Sequence, residues 1–160
     1  MGFLTVAEVA GAAFVGGLLV TNRLGRPLEF QCTTPVKPNR TQEILYGPTL
    51  KPFLFSELIG KTLLERLQVQ PDLVIVDQPE LLELRPLIKK PVACIAGQQS
   101  DLADQTQGML GRSRLRFHRD HLEDLDDLAG LEKLIGGEAD LGEPLERVRE
   151  ALAETLKAAA

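Results

Sequence analysis

The spacing of apolar and polar positions changes period along this chain, and each change marks an element. Leu28, Phe30 and Cys32 alternate with Glu29, Gln31 and Thr33, the period of two of a strand with one wet face. Ahead of them, Phe3, Thr5, Val6 and Val9 open a first strand, and Phe14 to Thr21 form a second, centred on Leu18, Leu19 and Val20. Gly11 and the run Asn22-Arg23-Leu24-Gly25 supply turn residues between them. Two or three antiparallel strands joined by short turns are the economical expectation. Pro35 and Pro38 end this region, because a proline gives a sheet no backbone donor.

The period then lengthens. Asn39 is placed to cap a helix running through Tyr46, with Gly47 just past its end and Pro48 enforcing the stop. Residues 49–68 read as helical, with Leu50, Phe53, Leu54, Leu58, Leu63, Leu64 and Leu67 as the apolar side and Gly60 as a point of division. Leu73-Val-Ile-Val76 is continuously apolar, as in a strand buried on both faces. Residues 79–88 suit a short helix that Pro86 closes early, and Val92 to Ala96 form a second buried strand. Together they predict a βαβ unit with parallel strands.

Gly97 to Gly111 is polar and reads as a loop, after which Arg112 to His118 alternates again as a strand. Two short helical pieces, His121 to Ala129 and Leu131 to Ile135, precede a longer terminal helix. That helix has Pro144 at its first helical position and Leu145, Val148, Leu152 and Leu156 on one stripe. The fold class expected is mixed α and β (α+β): a mixed sheet with an N-terminal antiparallel hairpin system, a central βαβ unit and flanking helices. A single globular domain spans residues 1–160 in this reading, which is an ordinary size for one core.

Composition narrows the function classes. There is no Trp and one Tyr, so the core is mostly aliphatic and base-stacking platforms have little to build on. Net charge is −5, divided as +1 over residues 1–96 and −6 over residues 97–160. Such a balance gains little from releasing phosphate counterions, so no nucleic-acid partner is expected. The apolar stretch from Val9 to Val20 is shorter than a bilayer span and lacks a preceding basic region, so no membrane partner is expected either. Two cysteines, Cys32 and Cys94, without metal spacing fit a reducing, cytoplasmic setting.

Four groups of residues carry candidate chemistry. In a parallel βαβ unit both strand ends open on one edge of the sheet, where ligands bind. Asp77 and Gln78 end one such strand, and Gln98, Gln99 and Ser100 follow the other, making a ligand-binding edge of amides, a hydroxyl and a carboxylate. The plainer reading of Asp77 is a cap for the helix that follows it. Arg112, Arg114 and Arg116 share one face of their strand and could take an anion or an acidic partner, or pair internally with Asp120, Glu123, Asp124, Asp126 and Asp127. His118 and His121 are the only histidines; with no cysteine spaced to join them, no metal site is assigned. Either cysteine with His118 would make a thiol dyad, but nothing local favours it.

The segment Pro71-Asp-Leu-Val-Ile-Val-Asp77 resembles the strand of response-regulator receiver domains that ends in the phosphorylated aspartate, and Pro91-Val-Ala-Cys-Ile-Ala96 is similar to the next strand of that family. The resemblance implies Asp77 as phosphoacceptor. The sequence departs from the family in lacking an early acidic pair for Mg²⁺ and a later lysine followed by proline, and its crossover is short. No hydrolase elbow, zinc-protease motif or Walker-type phosphate loop occurs, and no cofactor is assigned. The functional expectation is a non-catalytic binding or scaffolding module, with a homo-oligomer or another protein as partner. The alternative is a small-ligand-binding or enzymatic domain using the edge near Asp77 and Gln98.

Overall fold

A computed structural model describes residues 1–97, 105–135 and 137–159. Its centre is a seven-stranded mixed sheet in the order β3-β2-β1-β4-β5-β7-β6. The strands are β1 (Gly2–Val9), β2 (Ala13–Thr21), β3 (Pro27–Cys32), β4 (Val74–Val76), β5 (Val92–Ile95), β6 (Gln107–Leu110) and β7 (Ser113–Phe117). The first three form the expected antiparallel meander, and β4 and β5 pair in parallel as the βαβ pattern requires. β4 also lies parallel to β1, with Gly2, Phe3 and Leu4 opposite Val74, Ile75 and Val76. The meander and the βαβ unit therefore share one sheet, and the chain changes direction across it between β1 and β4.

Alternation along these strands sends side chains into two cores. Leu4, Val6, Leu18, Val74, Val76, Val92 and Cys94 face a layer built by Leu54, Ile59, Leu63, Leu81 and Leu84. Phe3, Val15, Leu19, Ile75, Ala93, Leu115 and Phe117 face the other layer, built by Leu131, Ile135, Leu145, Val148 and Leu152. Consecutive glycines in β2 set how closely the layers approach. A Cβ on Gly16 would sit 2.1 Å from Ile59 on one face, and a Cβ on Gly17 would sit 2.8 Å from Val148 on the other. Only a residue without a side chain fits at either position.

The helices follow the sequence with two changes of type. Helix α1 (Arg40–Tyr46) carries the anticipated cap as a full capping box: Asn39 Oδ1 accepts from Gln42 N, and Gln42 Oε1 accepts from Asn39 N. A 3-10 turn (Gly47–Thr49) and α2 (Leu50–Pro52) lead into a π-helix (Phe53–Lys61) and α3 (Thr62–Arg66). Gly60 therefore does not divide the helix. It lets the widened turn close on itself, since a Cβ there would lie 3.0 Å from the Phe55 carbonyl and 3.3 Å from Leu4 and Leu84. Residues 79–87 form a 3-10 helix that runs one residue past Pro86, so the proline sits inside it and does not close it early.

Beyond β5, Gln107–Leu110 is a strand where a loop was expected. Its polar composition and its glycine hid it; Gly108 lies under Leu125 and Leu128, where a Cβ would come within 2.6 Å of both. Helices α4 (Glu123–Asp126) and α5 (Leu128–Glu132) are short, and α6 (Glu143–Ala159) packs its leucine stripe on β1 and β2. No helix among the described residues is long and apolar enough to cross a membrane.

Candidate functional site

The carboxyl ends of β1, β4 and β5 share one edge of the sheet, and the reversal of strand order between β1 and β4 is where an open α/β sheet offers a crevice. Asp77 stands there, its side chain 11% exposed. Thr5 Oγ1 donates to Asp77 Oδ1 at 2.9 Å and approaches Oδ2 at 3.1 Å. From α6, the Arg149 guanidinium donates to Asp77 Oδ2 and, through its other terminal nitrogen, to Glu146. Asp77 is not a helix cap, which corrects the plainer sequence reading: the 3-10 helix has Gln78 at its N-cap and no side-chain hydrogen bond there. The residue that decides its environment, Arg149, lies 72 positions away in sequence.

Gln78 is bound as closely. Its Oε1 accepts from Val6 N at 2.9 Å and its Nε2 donates to Val6 O at 2.8 Å, so one carboxamide extends the β1–β4 ladder past its last backbone pair. Asp77 and Gln78 are thus together at the strand ends as expected, with their hydrogen-bonding atoms engaged inside the fold. Gln98, Gln99 and Ser100, the other half of that expected edge, lie outside the described residues.

The expected basic row divides: Arg112 lies in the turn between β6 and β7, ahead of the strand that carries Arg114 and Arg116. Arg112 and Arg114 border an open cleft of about 390 Å3 at the end of β5, together with Ile95, Ala96, Gly97, Met109, Ser113, Asp140 and Gly142. Within that cleft Ser113 Oγ accepts from Leu141 N at 3.2 Å, and Asp140 Oδ1 accepts from Gly142 N at 2.9 Å. No ion pair among the described residues involves Arg112 or Arg114. Arg116 borders a different, smaller cleft with Glu83, His118 and Arg119 under the 3-10 helix. Among the described residues, the acidic segment after β7 makes no ion pair with Arg112 or Arg114. Its Asp124 pairs instead with Arg85, Nε to Oδ2 at 2.6 Å and Nη2 to Oδ1 at 3.2 Å, and Glu123 approaches the same guanidinium at 3.5 Å.

Both histidines serve that junction. His118 is buried; its Nδ1 accepts from Asp120 N at 3.1 Å, which leaves the ring proton on Nε2, 3.4 Å from Glu83 Oε2. His121 Nδ1 lies 2.9 Å from Glu123 Oε1, and this contact, with its other hydrogen bonds, holds the Glu123 carboxyl below its ordinary value. The two rings meet edge to face with centroids 5.4 Å apart. No group of three or more His, Cys, Asp or Glu among the described residues is arranged to hold a metal ion.

Cys94 lies on β5, and burial pushes its thiol up to about 11 against the opposing influence of Arg116. A thiol in that state is a poor nucleophile at neutral pH. Cys32 is half-buried on β3, at the far side of the sheet order from β5 and β7, so neither cysteine forms a dyad with His118 among the contacts described. The chain matches no protein-family model and no curated protein.

Proposed function

We propose that this chain is a non-catalytic, cytoplasmic binding module whose ligand is an anion, a carboxylate or phosphate group carried by a small molecule or by a partner protein. The observation that carries this reading is the pair Arg112 and Arg114 on one open cleft at the carboxyl end of β5, with no carboxylate of the described residues paired to either. Elsewhere the chemically capable groups are committed to the fold: Asp77 to Thr5 and Arg149, Gln78 to Val6, His118 to Asp120 and Glu83, and Cys94 to the core. A guanidinium presents a planar fork of donors that suits carboxylate and phosphate oxygens. Two forks at one rim suit a ligand with two anionic oxygens. Among the described residues of the cleft, Ser113 Oγ and Asp140 Oδ1 each accept from a backbone N–H and are not bonded to one another, an arrangement that supports binding rather than turnover.

Two-dimensional amide NMR with added inorganic phosphate, and separately with citrate, tests the reading. The expected result is saturable shifts at Gly97, Ser113 and Gly142 with either anion, weakened at least tenfold in Arg112→Ala/Arg114→Ala. Shifts spread evenly over the surface, or unchanged in the double variant, would overturn it.

A further inference from the structure

On the opposite side of the sheet from α6, the π-helix and the 3-10 helix Pro79–Leu87 leave an open groove of about 560 Å3 between them. Its apolar surface comes from Tyr46 and Phe53 at one end and Pro86 and Leu87 at the other. Tyr46 and Phe53 stack with ring centroids 4.4 Å apart and planes inclined by 17°, so each ring supports the other in this wall. The two walls are also fixed to each other, since Ser56 Oγ donates to Glu80 O at 2.9 Å. Each wall adds one carboxylate at the rim, Glu57 from the π-helix and Glu83 from the 3-10 helix, and no Lys or Arg is among the residues that line the groove. The Glu57 side chain is exposed and has no hydrogen bond or ion pair among the described residues; Glu83 is half-exposed, with His118 its one described partner at 3.4 Å.

We infer that this groove docks an extended segment of a partner protein that carries an apolar side chain between basic residues. Charge complementarity selects that occupant. An apolar floor buries the side chain, and a carboxylate on each wall meets a Lys or Arg on either side of it. A second copy of this chain fits less well, because its net charge of −5 would meet an already acidic rim. The π-helix also joins the groove to the core. It presents Phe53, Ser56 and Glu57, at helical spacing, to the groove while Leu54, Phe55 and Ile59 remain in the core. The surface is distinct from the arginine cleft, and the inference does not depend on the anion reading.

A phage-displayed library of random dodecapeptides, panned on the full chain and counter-selected on Glu57→Lys/Glu83→Lys, tests it. Retained peptides are expected to hold Leu, Phe or Trp flanked by Lys or Arg. Synthetic copies should bind the unaltered chain at least tenfold more tightly than the double variant, with affinity falling as salt is raised. The milder Glu57→Gln/Glu83→Gln variant, which keeps the shape of both side chains, should lose affinity in the same direction and guards against a folding defect in the charge reversal. Recovery of no peptide, enrichment of acidic peptides, or equal binding to all three proteins would overturn the inference. So would a dimer in sedimentation that Glu57→Lys/Glu83→Lys dissociates, which would make a second copy the occupant.

Discussion

The carboxamide of Gln78 pairs with both backbone polar groups of Val6, accepting from its N–H at 2.9 Å and donating to its carbonyl at 2.8 Å. A side chain here does what another residue of β4 would do, and it does so where β1 and β4 begin to separate. Removing it leaves a partly buried amide and carbonyl without partners. Gln78→Ala is expected to cost about 1–3 kcal/mol, the usual penalty for orphaned backbone groups. Gln78→Glu, which keeps the acceptor and loses the donor, should fall between the two. Urea denaturation measures the loss, and amide exchange at Val6 should quicken in step with it. Unchanged exchange at Val6 in Gln78→Ala would show that the pairing contributes nothing.

Arg85 and Asp124 join the 3-10 helix to α4 by two hydrogen bonds, and their side chains are only 11% and 6% exposed. Burying such a pair is costly, but breaking it from one side is costlier, since the remaining charge stays in place without a partner. Asp124→Ala is therefore expected to destabilise by about 3–5 kcal/mol, and Arg85→Met/Asp124→Leu to recover most of that loss. The measurement is the denaturation free energy of the two single variants and the double. A single variant within about 0.5 kcal/mol of the parent would mean that the surrounding groups, Glu123 and the Ile88 carbonyl, satisfy Arg85 on their own.

Much of this architecture follows from local pattern. The continuous runs Leu73 to Val76 and Val92 to Ala96, the Asn39 cap and the stripe on α6 each state a preference that the fold satisfies, whereas in the alternating segment Leu28 to Cys32 the first apolar residue, Leu28, stands 51% exposed at the bulge between Val20 and Thr21. The strand β6 was illegible because an edge strand with a glycine and polar neighbours has the composition of a loop; what makes it a strand is β7 beside it. The form of the π-helix depends on close packing at Gly60, which hydrophobic period does not show. The site was legible in part. Position at the strand ends followed from topology, whereas the closure of Asp77 by Arg149 joins residues 72 apart, which spacing cannot reveal. The separation of Arg112 and Arg114 from Arg116 likewise depends on distant segments, with Asp140 and Gly142 beside the first two and the 3-10 helix beside the third.

Burial raises the Cys94 thiol from an ordinary value of 9.0 to about 11. The unfolded chain then loses this proton first as pH rises. The stabilising contribution is fully present below pH 9 and is lost between pH 9 and about 11, at a cost of roughly 3 kcal/mol. Stability of Cys94→Ala should decline less steeply over that range than the parent, although the variant starts lower at pH 7 through lost packing. Under native conditions at pH 8, a disulfide reagent should modify Cys32 alone, with Cys94 reacting only on unfolding. Rapid modification of both thiols in the folded protein would contradict this.

The terminal helix closes the second core. Leu145, Val148 and Leu152 are each 1% exposed and lie over Phe3, Val15 and Leu19, while Arg147 reaches back to the turn after β2 and donates to the Gly25 carbonyl at 2.9 Å. The stripe is thus covered by the chain's own sheet. Burying each of these side chains is worth about 1.5–3 kcal/mol, against a total stability of about 5–15 kcal/mol for a domain of ordinary size. Deleting residues 143–160 should therefore abolish cooperative unfolding, and Leu152→Ala alone should cost about 2–5 kcal/mol. Glu150→Ala, on the exposed face, should change stability by less than about 0.5 kcal/mol. Gly17→Ala tests the same contact from the sheet, because its new Cβ would lie 2.8 Å from Val148 and 3.0 Å from Leu152 and force α6 outward. If the helix seats on β2 as described, Gly17→Ala destabilises the full chain and Val148→Ala partly relieves it. Equal cost of Gly17→Ala with and without Val148→Ala would place the strain elsewhere.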